Sequence, residues 1–173
     1  MTISPYKLLL SPSGRIGRKD FWIGVVLLTA LTILFNLILR KLGGGSILAF
    51  LISLPFPFLV LHMCYAVYGK RLHDMGRSFW PLTWMIVSLL LVLIVVMLSY
   101  GGSEYFSEFA QFERKSDIDP AVKEAIVARY QARLSEATGL LNGSMMAIIG
   151  GFTLWCGLSK PQPRENAYGA PSS

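Results

Sequence analysis

The chain has 173 residues, of which 53% are hydrophobic and 15% are charged, and its formal net charge is +6. A soluble domain of this length needs more charged surface than this composition supplies, which excludes an ordinary soluble globular protein. The charged residues also cluster and leave long segments without Asp, Glu, Lys or Arg. These observations predict an integral membrane protein.

The uncharged segments are continuous apolar runs of about 20 residues, the length that a helix needs to cross roughly 30 Å of hydrocarbon. They lack the alternation of barrel strands, so helices must satisfy their backbone polar groups. The sequence therefore predicts an all-α fold, a polytopic membrane protein with a four-transmembrane-helix bundle in a single membrane domain, 1–173. The expected helices are 21–39, 47–68, 79–100 and 139–158, with an extramembrane loop at 101–138 and a tail at 159–173.

The basic residues predict the orientation, because Lys and Arg in short flanks stay in the cytoplasm. They precede the first helix, occupy the link between helices two and three, and follow helix four: Lys7, Arg15, Arg18, Lys19, Lys70, Arg71, Arg77, Lys160 and Arg164. Arg40 and Lys41 in the first loop oppose this signal weakly, whereas the third loop is rich in acid. Both termini are therefore expected in the cytoplasm. The apolar stretch at 8–10 is too short for a cleavable signal peptide, so the first helix is expected to direct insertion.

Two local signals inside the apolar runs predict how the helices bend and pack. Pro55 and Pro57 interrupt the second run, and a kink is expected there because proline lacks the amide donor and crowds the preceding turn. Gly143, Ala147 and Gly151 recur every four residues in the fourth run. This stripe of small residues predicts close helix contact inside the bundle.

Two helix starts are predicted from capping residues. Ser46 follows a run of glycines at 43–45, and Asp119 precedes Pro120, which favours the first helical position. From Pro120 the pattern reads as a helix to about residue 137. Its apolar stripe predicts an amphipathic extramembrane helix on the outer surface, against the bundle or as a solvated connector; the stripe comprises Ile118, Val122, Ile126, Tyr130 and Leu134.

Few residues in the apolar runs carry reactive side chains. Cys64 and Cys156 both lie within the runs, which predicts free thiols and neither a disulfide nor a zinc site. His62 is the ionisable residue well inside a run, and an intramembrane histidine is a functional candidate. Because no second buried ionisable residue forms a relay with it, we favour a neutral His62 that hydrogen-bonds to a neighbouring helix.

The link at 70–78 is the densest polar segment. It contains donors for an anionic group and the pair His73 and Asp74, which suits acid–base chemistry. The same residues are more typical of an internally paired turn between two helices, which is the interpretation we favour. No established catalytic, nucleotide-binding or metal-binding motif occurs. The sequence therefore predicts a protein that is not an enzyme, with neither a cofactor nor a metal.

Three blocks together resemble domain-of-unknown-function family 805, whose members are small bacterial inner-membrane proteins. The blocks are GRIGRKDFW at 14–22, KRLHDMGRSFW at 70–80 and NAYGAP at 166–171. They follow the family's order and span nearly the whole chain. This chain departs from the family at Phe79, where a glycine usually follows the serine. The resemblance implies the fold and an inner-membrane location, and it implies no activity.

In the predicted topology these blocks lie at one cytoplasmic surface. Its candidate binding residues are Arg15, Arg18, Asp20, Arg71, His73, Asp74, Arg77, Asn166 and Tyr168. We expect the three blocks to meet in space, with Arg18 or Arg77 paired with an acid of another segment. The remaining arginine is then expected to face an anionic ligand.

Two interpretations of this surface are open. In one, the arginines bind an anionic lipid headgroup or an acidic protein segment, as in a membrane scaffold or binding protein. In the other, the surface is an ion-pair network that fixes the helix ends. A small transporter or a membrane enzyme acting on a lipid phosphate is the alternative function. Expected partners are membrane lipids, another membrane protein or a second copy of the chain, and no nucleic acid.

Overall fold

The computed structural model describes residues 4–42, 46–112 and 118–171. In these ranges the chain is α-helical, with one π-helical turn and a single isolated β-bridge. The helices are α1 (Pro5–Leu10), α2 (Arg18–Lys41), α3 (Ile47–Ser53), α4 (Phe56–Asp74), α5 (Trp80–Met97), α6 (Ser103–Ala110) and α7 (Pro120–Leu158). The π-helical turn, Leu98–Gly102, joins α5 to α6.

The described residues contain four helical segments that are long and apolar enough to cross a membrane. They are Arg18–Lys41, Ile47–Asp74, Trp80–Ala110 and Pro120–Leu158. Each contains one of the predicted runs, and the fold class is therefore confirmed as an all-α polytopic membrane protein. The single-domain organisation of 1–173 stays a prediction. The chain divides into two compact units, Met1–Thr83 with Thr153–Ser173, and Trp84–Phe152.

In the first unit, α1 packs against both α2 and α4, and α2 packs against α4. Phe21 is fully buried and meets the Tyr68 ring edge-on at a centroid distance of 5.3 Å. Gly24 allows the two helices to approach closely, because a Cβ atom there would lie 2.9 Å from the Val67 side chain. The first half of the predicted first run and the second half of the predicted second run thus form the core of this unit.

Helix α1 was not predicted, although its start carries a local signal. Ser4 is the N-cap, and its hydroxyl oxygen accepts a hydrogen bond from the Lys7 amide at 3.4 Å. Pro5 then occupies the first helical position, where its missing amide proton is no loss. The buried side chain of Leu8 anchors this short helix.

The proline kink is confirmed as a break between α3 and α4. Helix α3 ends at Ser53 and α4 begins at Phe56, so the interruption coincides with Pro55. The predicted cap at Ser46 is also confirmed, since its hydroxyl oxygen accepts from the Ala49 amide at 3.1 Å. The preceding glycines at 43–45 lie outside the described residues.

The second unit contains an antiparallel pair formed by α6 and the first part of α7. The π-helical turn before α6 contains a kink at Gly101, which has a positive φ of 97°. Arg129 then pairs with Glu108 at 3.2 Å, and Arg133 pairs with Glu104. The Tyr105 and Tyr130 rings lie 4.8 Å apart between these pairs.

The predicted end of the extramembrane helix near residue 137 is wrong. Helix α7 continues without interruption from Pro120 to Leu158, over 39 residues. The physical reason is that Gly139 alone costs a helix about 1 kcal/mol, which is too little to end it. At 1.5 Å per residue α7 is about 58 Å long, so it exceeds the hydrocarbon thickness of about 30 Å. The predicted N-cap is confirmed, because the Asp119 carboxylate accepts from the Ala121 amide at 2.8 Å.

The predicted close packing of the small-residue stripe is also wrong within the described part of the chain. Gly143, Ala147 and Gly151 are exposed. A Cβ atom added to either glycine would meet nothing within 4 Å. Gly157, the residue before the last of α7, is the glycine of this helix that does permit a close contact, with the Trp22 ring.

Candidate functional site

The three blocks meet in the first unit, as expected from the sequence. The first block supplies the turn before α2, the second supplies the last turn of α4, and the third follows α7. Arg15, Arg71 and Asp74 join them, and we call these three residues the Arg–Asp–Arg cluster. Asp74 and Arg71 are fully buried and Arg15 is 8% exposed.

Asp74 accepts one arginine on each carboxylate oxygen. Arg71, one turn earlier in α4, donates from Nη1 to Asp74 Oδ2 at 2.5 Å. Arg15 donates from Nε to Asp74 Oδ1 at 3.3 Å. Two cations therefore surround one anion, and buried charges of this kind are stable only when their remaining donors are also satisfied.

Backbone carbonyl groups accept from most of the remaining N–H donors of Arg71, including Ile16 O at 3.4 Å from Nη1. Its Nε donates to Cys156 O at 2.8 Å and its Nη2 donates to Ser159 O at 2.5 Å. These carbonyls belong to the C-terminal end of α7, where helices have acceptors without intrahelical partners. A positive charge there also complements the negative end of the helix dipole. Arg71 thus caps α7 from α4.

Arg15 also uses all five of its N–H donors within the protein, mostly toward backbone carbonyls. Besides Asp74 Oδ1 it reaches the Asp74 backbone carbonyl and three carbonyls of the tail. The tail acceptors are Gln162 O at 2.5 Å, Arg164 O at 2.9 Å and Gly169 O at 3.1 Å. A guanidinium has five donors in a rigid fork, so this arrangement leaves none for a ligand.

Two further side chains cap the short helix α1. Lys70 is 3% exposed, and its Nζ donates to Lys7 O at 2.6 Å and Leu8 O at 2.7 Å. The His62 Nε2 atom lies 2.9 Å from Leu10 O, which is the hydrogen bond to a neighbouring helix that the sequence favoured. The end of α1 is therefore fixed to α4 by two polar contacts.

His73 lies between the turn before α2 and the tail. Its Nδ1 is 3.4 Å from Gly14 O; because a carbonyl only accepts, Nδ1 is the donor. The ring stacks on Tyr168 at 3.7 Å with an interplanar angle of 3°, and Phe79 meets it edge-on. Its buried Nε2 has no hydrogen-bond partner among the described residues. His73 and Asp74 therefore engage different groups and do not form an acid–base pair.

The tail forms a tight turn against this cluster. Asn166 and Gly169 exchange backbone hydrogen bonds of 3.3 and 3.0 Å, and Gly169 has a positive φ of 116°. The Asn166 side-chain amide donates to His73 O at 3.0 Å and to Gln162 Oε1 at 2.8 Å. The Gln162 backbone N–H donates to Asp74 O at 2.7 Å. Asn166 and Tyr168 therefore both hold the tail on the end of α4.

The expected pairing of Arg18 or Arg77 with an acid of another segment is wrong. Arg15 instead forms the ion pair with Asp74 of another segment, because its side chain precedes α2 and points into the unit. Arg18 is exposed and donates from Nε to Ser159 O at 3.0 Å. Arg77 is exposed and lies 5.2 Å above the Trp155 ring. Asp20 is half-buried and forms no ion pair within ranges 4–42, 46–112 and 118–171.

Sequence reasoning missed Lys70 and Gln162 as members of this network. Lys70 stands in the second block, but its acceptors are backbone carbonyls of a helix that was not predicted. The Gln162 backbone N–H donates to Asp74 O, and its side-chain oxygen accepts from Asn166. No sequence motif indicates either contact. Among the described residues, no group of three His, Cys, Asp or Glu side chains is placed to hold a metal ion. Both cysteines are free.

The fold and this network define a polytopic α-helical membrane protein whose helix ends are joined by buried cations. The family model described as "Protein of unknown function (DUF805)" matches residues 9–170. The chain belongs to this family, which confirms the resemblance seen in its three blocks.

The chain is also similar to two curated relatives, each named "Uncharacterized protein YiiR". They come from Escherichia coli strain K12 and from Escherichia coli O157:H7. Each is 44% identical over 80 residues, which cover 45% of this chain and 49% of the relative. The chain thus spans about half the length of the curated relatives it matches. No solved structure matches it.

Proposed function

We propose that this protein is a non-enzymatic binding protein or scaffold of the bacterial inner membrane that holds an anionic lipid headgroup. The headgroup binds to exposed cations at the start of α2, after α4 and after α7, with both termini in the cytoplasm. We call these cations, Arg18, Arg77 and Lys160, the basic rim. The role of the other candidate residues is then to hold the helix ends in place.

One observation carries this proposal, namely the different use of the arginine donors. Arg15 and Arg71 direct their donors into the protein, whereas Arg18 donates to the protein only from Nε, to Ser159 O. Its two terminal NH₂ groups donate to no atom of the described residues. Arg77 contacts an aromatic face and leaves its hydrogen-bonding edge accessible. Arginine forms paired hydrogen bonds with phosphate, so these two side chains suit a phosphate headgroup.

Aromatic residues near the basic rim favour a lipid over an acidic protein segment. Trp22 lies one turn into α2, Trp80 begins α5 and Trp155 lies one turn before Ser159. The exposed fractions of these side chains are 36%, 65% and 36%. Tryptophan concentrates at the level of the lipid headgroups, where its ring is apolar and its N–H remains hydrated. This preference supports a position of the basic rim at the depth of the phosphates.

The same network argues against the alternative of an enzyme acting on a lipid phosphate. Asp74 accepts an arginine on each oxygen, so it is not available as a base. His73 is buried beneath Tyr168.

Lipid retention measured by native mass spectrometry tests the proposal. The protein is extracted from vesicles of equal phosphatidylglycerol and phosphatidylethanolamine, and the ratio of the two retained lipids is compared between variants. Arg18→Gln with Arg77→Gln should lower the retained phosphatidylglycerol several-fold, because headgroup attraction is about 1 kcal/mol per cation. The matched control is Arg40→Gln, an exposed arginine at the opposite end of α2. Unchanged retention in the double variant, or an equal loss in the control, would contradict the basic rim.

The cytoplasmic position of the termini has its own test. Single cysteines replace the exposed residues Ala170 and Lys123, and an impermeant maleimide is applied to intact spheroplasts. We expect labelling at 123 from the outside, and labelling at 170 only after the membrane is opened. Labelling at 170 in intact spheroplasts would refute the orientation.

A further inference from the structure

Helix α2 carries a row of exposed residues with the spacing of a helix–helix contact. The row consists of Trp22, Val26, Thr29, Ile33, Asn36 and Arg40, and we call it the α2 seam. Its intervals of four and three residues are those of a heptad repeat, which keeps one stripe directed at a neighbouring helix. All six residues are exposed in this chain. The side of α2 that packs against α4 is a different stripe, which contains the buried Phe21 and Gly24.

Asn36 is the polar residue of the seam whose hydrogen bonds are incomplete. Thr29 donates to Val25 O and Thr32, beside the seam, donates to Leu28 O, both at 2.9 Å. Asn36 donates one proton from Nδ2 to Thr32 O at 2.8 Å. Its second N–H and its Oδ1 have no partner within the described part of the chain. This group lies in the uncharged run 21–39, one turn before Arg40, and lipid tails supply no hydrogen-bond partner for it.

From this incomplete amide we infer that the α2 seam binds a second copy of the same chain. A carboxamide has one free donor and one free acceptor, so it is complementary to another carboxamide. Two copies inserted in the same direction are related by an axis along the membrane normal, which makes their α2 helices parallel. Residues of a parallel heptad seam then face their own copies, and Asn36 meets Asn36. A lipid tail offers no hydrogen bond and is therefore not the occupant.

The shape and the charge of the seam agree with this pairing. The surface along Thr32, Ile33, Asn36, Leu37 and Arg40 is open, so a second helix can contact it. Arg40 is in the last turn of α2, so two copies direct their guanidinium groups into water instead of against each other. The pairing does not involve the basic rim, so it stands independently of the proposed function.

Disulfide cross-linking in native membranes tests the α2 seam at a matched pair of positions. Ile33 and Leu34 are neighbours at the same depth, with exposed fractions of 56% and 55%, but only Ile33 is in the seam. The full-length chain with Ile33→Cys should form a cross-linked dimer on mild oxidation. Leu34→Cys should remain at the baseline of the unmodified chain, whose cysteines are free. Equal dimer at both positions, or dimer at neither, would overturn the inference.

A second set of variants tests the role of Asn36 itself. Asn36→Leu in the Ile33→Cys chain should lower the dimer association constant roughly three- to twenty-fold, the range of one interhelical polar contact in membranes. Asn36→Gln keeps the carboxamide and should retain the dimer. An Asn36→Leu variant that cross-links like its parent would refute the pairing. A cross-link within one chain, detected as a product of monomer mass, would instead assign the seam to another helix of the same molecule.

Discussion

Two regions of this molecule contain arginine–carboxylate pairs, and they use them differently. In the Arg–Asp–Arg cluster the side chains of Arg71 and Asp74 are both 0% exposed. In the antiparallel pair formed by α6 and the first part of α7, the side chains of Arg129 and Glu108 are 57% and 29% exposed. Water screens the second pair and competes for its hydrogen bonds, whereas the first is isolated from water. Asp74 also accepts a hydrogen bond from Arg15 of another segment, so the buried cluster has a structural role in joining segments. The exposed pair adds little to stability.

The largest effect is expected from removing the buried carboxylate of Asp74. Asp74→Ala leaves Arg15 and Arg71 without their shared counter-charge, and breaking a buried pair costs about 3–5 kcal/mol. The unfolding free energy in bicelles should fall by that amount. The matched change in the hairpin is Glu108→Ala, which should cost about 0–1 kcal/mol. Similar losses in both variants would remove the distinction between the regions.

A smaller and more local effect is expected for the tail. Arg15→Lys keeps the charge but not the five-donor fork that holds the carbonyls of Gln162, Arg164 and Gly169. Loss of charged hydrogen bonds worth about 1.5–3 kcal/mol should raise local opening of the tail tenfold or more. Because Arg15 holds the Arg164 carbonyl, trypsin cleavage after Arg164 should accelerate by that factor.

Cleavage after Lys123 in the second unit gives the internal reference for this digest. It should proceed at the same rate in both proteins. Parallel acceleration at both sites would indicate general destabilisation and would contradict a specific role of Arg15 in holding the tail.

The smallest effect concerns a pair of glycines at the edge of the cluster. Gly14 and Gly76 have positive φ angles of 94° and 71°, so an alanine strains the backbone at either position. At Gly14 the added Cβ meets nothing within 4 Å, whereas at Gly76 it collides with the Gln162 side chain. That side chain accepts from Asn166, so Gly76→Ala should cost about 1 kcal/mol more than Gly14→Ala. Thermal unfolding measures this difference in stability. Equal losses of stability in the two variants would show that the Gln162 side chain does not crowd Gly76.

Much of the fold was predictable because hydrocarbon imposes strong constraints on sequence. The uncharged runs, the break at Pro55 and the caps at Ser46 and Asp119 all follow from residue type and spacing. The end of α7 was harder, because Gly139 resembles a boundary but is too weak to make one. Helix α1 is short, and its stability comes from packing and from Lys70 rather than from its own pattern.

The site was predictable in its location and only partly in its contacts. The three blocks meet because charge placement confines them to one membrane surface. Which arginine enters the protein was not predictable, because most acceptors of Arg15 and Arg71 are backbone carbonyls. Their positions depend on the path of the chain after α7, which no side-chain pattern records. The ligand-binding role of the exposed arginines stays a prediction.

The most direct test of the structural role of the Arg–Asp–Arg cluster is a pair of double-mutant cycles on the unfolding free energy. One cycle combines Arg71→Gln with Asp74→Asn, and the other combines Arg129→Gln with Glu108→Gln. We predict a coupling energy of about 1.5–3 kcal/mol for the buried pair and about 0.2–1 kcal/mol for the exposed pair. Equal coupling energies in the two cycles would contradict it.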